Sequence, residues 1–410
     1  MTPSRPSNTA LILILGALIA LSPFSIDMYL PAFPGIAENL KVSVAEVSLS
    51  LSSYFIGLAL GQLLYGPFLD RFGRRTPLLI GLGIFILASI GCITSQNIEM
   101  LIAFRFLQAI GGCAANVASV AMVRDFFSVK DSAKIFSLLM LILGVSPLLA
   151  PTVGGYVATA LGWHAVFAIL AVIALLMGLT VYFKLPEGHE PDPSISLKIQ
   201  PIMKGFLSIL REPQFYTYTF SGALAFSGLF VYVAGSPILF MDVFKVEPKI
   251  YGWIFALLSI GFIGSSQVNI LLLKRFRNDQ ILKVALMSQA AAGVVFLLGT
   301  LNGWFGLGGS VMMLFIYLAC VGMVNPNAAA LALAPFSRNA GSASALMGSV
   351  QMGVGALASM AVGLLTTNLH HMIITILAAA SLLAMAMLLI GKRKIVNEVT
   401  AAPGDAIITH

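Results

Sequence analysis

Twelve long apolar runs separated by short polar turns make up most of this chain. They fall at 9–31, 45–67, 76–95, 98–123, 131–157, 163–184, 214–240, 249–273, 279–299, 306–333, 340–364 and 370–391. Each is long enough to cross a hydrocarbon layer about 30 Å thick as a helix rising about 1.5 Å per residue. Each must be helical in lipid, because a helix satisfies its own backbone polar groups. The pattern predicts an all-α integral membrane protein with twelve transmembrane helices. The longest polar interruption, 185–213, holds Pro186, Glu187, Glu190, Pro191, Asp192, Pro193 and Lys198. It sets six helices against six, as in parallel-repeat membrane proteins. The expected plan is a six-helix bundle over 1–184, a cytoplasmic linker over 185–213, a second six-helix bundle over 214–391 and a cytoplasmic tail over 392–410, with the two bundles pseudo-symmetric.

Composition agrees with the pattern. Of 410 residues 59% are hydrophobic and 10% charged, with a mean hydropathy of +0.96; a soluble domain carries about a quarter charged residues. The net charge of +7 does not point to nucleic acid, because the basic residues sit in short loops and form no continuous face. With both termini inside, 19 of the 23 Lys and Arg fall on the inner side. Only Lys41, Lys245 and Lys249 fall outside and Arg105 within a span, a bias that fixes the topology. Trp163, Trp253 and Trp304 all fall at predicted outer helix ends, where an aromatic belt belongs. The run after Arg5 continues through Met28-Tyr29-Leu30 and reads as a retained first helix rather than a signal peptide. Cys92, Cys113 and Cys320 are far apart in apolar runs, and the five histidines, including the pair His370-His371, form no ligand pattern. No disulfide, metal or cofactor is expected. There is no GxxxxGK[ST], so nucleotide-driven work is not expected.

A charge inside a span costs at least a few kcal/mol, so each one is a functional candidate. Asp27 and Arg105 are the two. Asp27 lies about four residues from its outer helix end and Arg105 about seven from its own, so both are placed in the outer third of the membrane and are expected to share a cavity or pair. Asp27 stands in Ser22-Pro23-Phe24-Ser25-Ile26-Asp27-Met28-Tyr29-Leu30-Pro31, where two prolines weaken the local backbone bonding. Arg105, Gln108, Gly112 and Ala115 share one helix face, and so do Gly144, Pro147, Pro151 and Gly155 in the fifth helix. Together with Gly154, the latter set reads as a kinked, closely packed hinge. Ser344, Gly348, Gln351 and Gly355 form a matching face in the eleventh helix. No embedded acid or base occurs in the second half, which is therefore expected to supply cavity walls. Candidates are Phe226, Phe230, Tyr232, Phe255, Asn325 and Gln351, joined from the first half by Tyr29, Gln108 and Asn116. Finally, Gly66-Pro67-Phe68-Leu69-Asp70-Arg71-Phe72-Gly73-Arg74-Arg75-Thr76-Pro77 reads as a charged turn between the second and third spans.

That turn resembles the loop signature of the major facilitator superfamily at Gly66, Asp70, Gly73 and Arg74. Arg105-Phe106-Leu107-Gln108-Ala109-Ile110-Gly111-Gly112 resembles its fourth-helix motif, in which the Arg is tied to proton transfer. Ala150-Pro151-Thr152-Val153-Gly154-Gly155 resembles its antiporter motif, with Ala150 in place of the family's Gly. Asp27-Met28-Tyr29-Leu30-Pro31 and Gly341-Ser342-Ala343-Ser344-Ala345 are similar to the Bcr/CflA group of drug:proton antiporters. The resemblance implies the major facilitator fold, with a central cavity that opens alternately to each side. It implies export of small amphipathic compounds, antibiotics included, in exchange for protons, by a monomer in the bacterial inner membrane. Asp27 and Arg105 would couple protons. Asp70 would face the start of the eleventh helix near Gly341, and Arg74 would pair with Asp125, as a conformational gate. An exporter of an endogenous metabolite, such as an amino acid or small peptide, fits the same residues. A membrane-embedded enzyme or a receptor fits less well, since no nucleophile–base pair or metal cluster is visible.

Overall fold

The structure, a computed structural model, describes residues 8–127, 129–188, 191–192, 199–336, 340–364 and 368–396. The expected tail beyond residue 396, linker positions 189–190 and 193–198, and Arg5 and Arg338 of the inner basic set lie outside the described residues. Among the described residues there is no strand, and twelve helices are long and apolar enough to cross a membrane. In chain order the helices are α1 Asn8–Asp27, α2 Phe33–Leu40, α3 Val44–Phe72, α4 Arg75–Ile93, α5 Ile98–Phe126, α6 Val129–Leu161, α7 Trp163–Lys184, α8 Ile199–Leu210, α9 Pro213–Ser236, α10 Pro248–Leu272, α11 Asn278–Leu301, α12 Leu307–Leu333, α13 Ala340–Gly363 and α14 Leu369–Lys392.

Most helix ends lie within four residues of the sequence reading, and two lie further off. The first span does not stop at Pro31: after a 3₁₀ turn at Leu30–Ala32 it continues as α2 to Leu40. Pro31 and Pro34 each sit in a first helical turn, where the missing N–H has no partner to lose. The second span does not end at Pro67: α3 runs through Asp70 and Arg71 to Phe72. Its helix continues past the apolar core, so the predicted twelve-residue turn shrinks to Gly73 and Arg74. Gly73 has φ +81, which favours glycine. α3 starts on a capping box, with the Ser43 Oγ accepting from Glu46 N and the Glu46 carboxylate accepting from Ser43 N.

The chain forms two compact units. Residues 1–198 with Pro248–Trp253 make the first, and 199–247 with 254–410 the second. In the first unit, α1 packs on α5, α6 and α7, α4 packs on α5 and α7, and α3 packs on α5. In the second unit, α9 packs on α12, α13 and α14, and α11 packs on α12 and α14. The first helix of each unit thus meets the last three of its own half, and the third meets the fourth and sixth, which is an internal repeat written in packing. Small residues bring the first-unit helices together. A Cβ on Gly57 would lie 2.7 Å from both the Ala109 Cβ and the Phe106 carbonyl, and one on Gly61 would lie 2.7 Å from the Cys113 Cβ. Cys113 therefore serves as a small packing residue. α6 remains one helix through Pro147 and Pro151.

Candidate functional site

The site grows from Arg105 on α5, which is fully buried. Its Nη1 donates to the Ser25 Oγ on α1 (2.9 Å) and to the Gln108 Oε1 one turn along α5 (2.6 Å). The Gln108 Nε2 in turn donates to the Ser89 Oγ on α4 (2.7 Å), which donates to the Phe85 carbonyl. The guanidinium carbon lies 4.2 Å from the Tyr54 ring centre, 4.6 Å from that of Tyr29 and 5.8 Å from that of Phe167. Tyr29 is locked in turn by a 2.7 Å hydrogen bond between its hydroxyl and the Ser50 Oγ. Charge-assisted hydrogen bonds contribute about 1.5–3 kcal/mol each and a desolvated cation–π contact about 2. Those terms offset a burial penalty of several kcal/mol for the charge.

No acid among the described residues pairs with Arg105. Asp27 is the last residue of α1, 5% exposed and the only buried acid among the described residues. Asp27 stands thirteen residues before the span's end at Leu40, not four. It still lies near the depth of Arg105, because Ser25, two residues earlier, bonds that guanidinium. Ser25 and Asp27 are roughly 200° apart around a helix, so with Ser25 on Arg105 the acid is turned away, and the two charges form no ion pair among the described residues. The helix break at Met28 lies against α6: a Cβ on Gly154 would collide with the Met28 carbonyl. Its neighbour Gly155 would bring a Cβ 2.7 Å from the Pro248 carbonyl, inside the same unit. Gly144 and Pro147 are half-buried and Pro151 is buried along α6.

A second cluster closes the other end of the same unit. Arg74, 8% exposed, directs Nη1 to the Asp70 Oδ1 (2.5 Å) and Nε to the Asp125 Oδ2 (2.8 Å). Burial works against its charge, but the hydrogen bonds to Asp125 and Asp70 outweigh it and hold the guanidinium's pKa above the usual value. Asp70 stays about half exposed. The Glu187 carboxylate accepts from the backbone N–H of Arg74 and of Arg75, capping the start of α4. The Asp192 N donates to the Asp70 carbonyl (3.3 Å), and a Cβ on Gly188 would come 2.9 Å from the Asp125 Oδ2. The beginning of the linker is therefore part of this cluster rather than a plain spacer. Gly66, inside α3, and Gly341, near the start of α13, both have open space where a Cβ would go.

In the second unit the Gln351 Nε2 donates to the Asn325 Oδ1 (2.6 Å), beside a small pocket whose lining includes Tyr218 and Met347. Phe226 meets Phe230 edge-on at 5.5 Å, and Tyr232 stacks on Phe255 at 5.2 Å. Phe230, Tyr232 and Phe255 are enclosed by protein, whereas Phe226, Asn325, Gln351 and Asn116 keep partial exposure. A polar pair not anticipated from sequence joins the Asn327 Nδ2 to the Asn269 Oδ1 at 2.6 Å. Ser25, Ser50, Tyr54, Ser89, Phe167 and Glu187 were likewise missed, and their partners lie on other helices, where spacing along the chain carries no signal.

A family model described as Major Facilitator Superfamily matches residues 15–359. An uncharacterized MFS-type transporter, YdgK of Bacillus subtilis, is 36% identical over 376 residues, covering 89% of this chain and 91% of that one. The bicyclomycin resistance protein homolog of Haemophilus influenzae is 32% identical over 86% of this chain and 88% of its own. The multidrug resistance protein MdtL of Escherichia coli is 28% identical, covering 96% of both chains. Among solved structures, a D-xylose-proton symporter superposes with a TM-score of 0.74 at 16% identity, covering 93% of this chain and 98% of that chain. A bacterial homolog of the lysosomal transporter Spinster does so with 0.75 at 15% identity, covering 98% and 100%.

Proposed function

The chain belongs to the Major Facilitator Superfamily, and from that premise we propose that it exports small amphipathic compounds, antibiotics among them, in exchange for protons. The observation that carries this reading is the split fate of the two embedded charges. Arg105 is fixed by neutral partners and aromatic faces, whereas Asp27 ends a broken helix with no ion pair among the described residues. A carboxylate held this way is open either to a proton or to a cationic or hydrogen-bonding group of a substrate. If the two exclude each other, each lowers the other's affinity reciprocally, which is sufficient for antiport. The rigid Arg105 cage gives Asp27 a fixed reference, and the contact of Gly154 on the Met28 carbonyl ties any movement at the helix break to α6. The Arg74 cluster joins the ends of α3, α4 and α5, so that these three helices move as one at the gate. The export direction and the substrate class are supported by the relatives named for bicyclomycin and multidrug resistance. The 19-to-3 basic bias supports cytoplasmic termini and, with bacterial relatives, an inner-membrane location.

The test is substrate-induced proton release from the purified protein in weak buffer, using compounds chosen from a growth-inhibition panel in a host stripped of its own exporters. The wild type is expected to release protons and Asp27→Asn to release none. Equal release from both would place the proton elsewhere.

A further inference from the structure

On the end of the second unit that carries the basic loops, α11, α14 and α9 surround a cavity of about 330 Å³. Lys283, Lys392 and Arg393 form its basic rim, and buried Tyr218 and Leu388 with half-exposed Leu389 complete its lining. Asp279 is the one acid on that rim. It is already shared by the Lys392 Nζ at 3.2 Å and the Arg277 Nε at 3.1 Å, ties that fix the start of α11 to the end of α14. Lys283 and Arg393 form no ion pair among the described residues. The rim therefore carries more positive charge than its acid can balance. Each of these two cations also heads an apolar column. Met287, four residues after Lys283, is 51% exposed, and Leu389, four residues before Arg393, is 50% exposed. Residues four apart on a helix share a face, so a basic tip sits above a lipid-facing stripe on both helices.

We propose that this cavity binds the headgroup of an anionic phospholipid, with Lys283 and Arg393 on the phosphate and the acyl chains running along Met287 and Leu389. The chemistry asks for both parts of such a ligand. The cations supply charge-assisted donors to phosphate oxygens, and a basic pocket between spans at the membrane surface is where anionic headgroups are found. The apolar part of the lining and the columns add burial that a free phosphate cannot use. The site lies wholly within the second unit, apart from Asp27 and Arg105, so it acts on stability and on the hold between α11 and α14 rather than on substrate choice.

The experiment is thermal melting of the purified full-length protein in neutral detergent, titrated with dioleoyl phosphatidylglycerol, dioleoyl phosphatidylcholine or inorganic phosphate. Phosphatidylglycerol is expected to raise the melting temperature saturably, and the other two are not. A K283Q/R393Q variant should need at least tenfold more phosphatidylglycerol for half the effect. K274Q/R275Q, an equal charge change on the neighbouring exposed loop, should respond as the wild type does. If the double variant does not fold, R393Q alone at its exposed position carries the same comparison. The proposal is overturned if the pocket variant responds like the wild type, if the loop variant loses as much, or if inorganic phosphate matches the lipid.

Discussion

Replacing Arg105 by lysine should harm this protein more than removing the charge altogether. Both of the residue's hydrogen bonds leave from Nη1, at 2.9 Å to Ser25 and 2.6 Å to Gln108. A lysine nitrogen reaches only the position of the guanidinium carbon, about one C–N bond or ~1.3 Å short. Both contacts then stretch beyond hydrogen-bond range. Two charge-assisted bonds at roughly 1.5–3 kcal/mol each are lost while the buried charge remains, a cost of about 3–6 kcal/mol. Arg105→Met also loses the bonds and leaves the Gln108 Oε1 without its donor, for about 1–3 kcal/mol. It removes the charge as well, and with it a desolvation penalty of several kcal/mol, so its net cost is near zero to about 2 kcal/mol. For a unit of about 200 residues, a gap of ~2 kcal/mol corresponds to at least about 4 °C in melting temperature. The assay is thermal melting of both purified variants beside the wild type, with proton-driven export measured in parallel. The expected order is wild type at or above Arg105→Met, and both above Arg105→Lys, with export lost in both variants. Arg105→Lys melting at or above Arg105→Met would refute the account of how the charge is held, and wild-type export by Arg105→Met would remove it from the transport cycle.

Three further outcomes follow from the same geometry. Gly154→Ala drives a methyl group into the Met28 carbonyl and should abolish export or expression, whereas Gly66→Ala enters open space inside α3 and should leave both intact; equal behaviour in an export assay would discount the contact at the helix break. Glu187→Ala uncaps α4 and should cost about 1 kcal/mol in a melting experiment, with Glu187→Gln recovering part of it by keeping an acceptor for the Arg74 and Arg75 N–H groups; no loss in the alanine variant would show that water replaces the carboxylate. In a background without native cysteines, Asn302→Cys should react with an impermeant thiol reagent on intact cells and Lys274→Cys should not, and the reverse result would invert the proposed topology.

The spans were legible because runs of about twenty apolar residues have few other solutions. Their ends were not. Pro31 read as a stop, but a proline in the first turn of a new helix breaks nothing, and the first span resumes through it and through Pro34. Asp70 and Arg71 read as loop because they are charged, yet they extend α3 past the apolar layer. The importance of Arg105 was legible from the cost of its burial, and Gln108 from its position one turn away. Along the chain, Asp27 matches Arg105 only in depth. Depth says nothing about which way a side chain points, and Ser25, two residues earlier, occupies the direction the acid would have needed. The aromatic faces of Tyr54 and Phe167 come from other helices, so only the folded packing reveals them.

The packing of α1 against α5, α6 and α7 also sets a timetable for synthesis. Ser25 leaves the ribosome 80 residues before Arg105, its partner. At about 5–20 residues per second the interval is roughly 4–16 s. Throughout that wait the first span, with its prolines and its acid, has none of its final neighbours from α5 to α7. Water, lipid headgroups or the insertion machinery must shelter Asp27 until they arrive. The same delay recurs when α9 precedes α12, α13 and α14. Substitutions near Ser25 and Asp27 therefore stand to act on insertion yield before they act on transport, and the amount of protein reaching the membrane is a separate readout of this one contact.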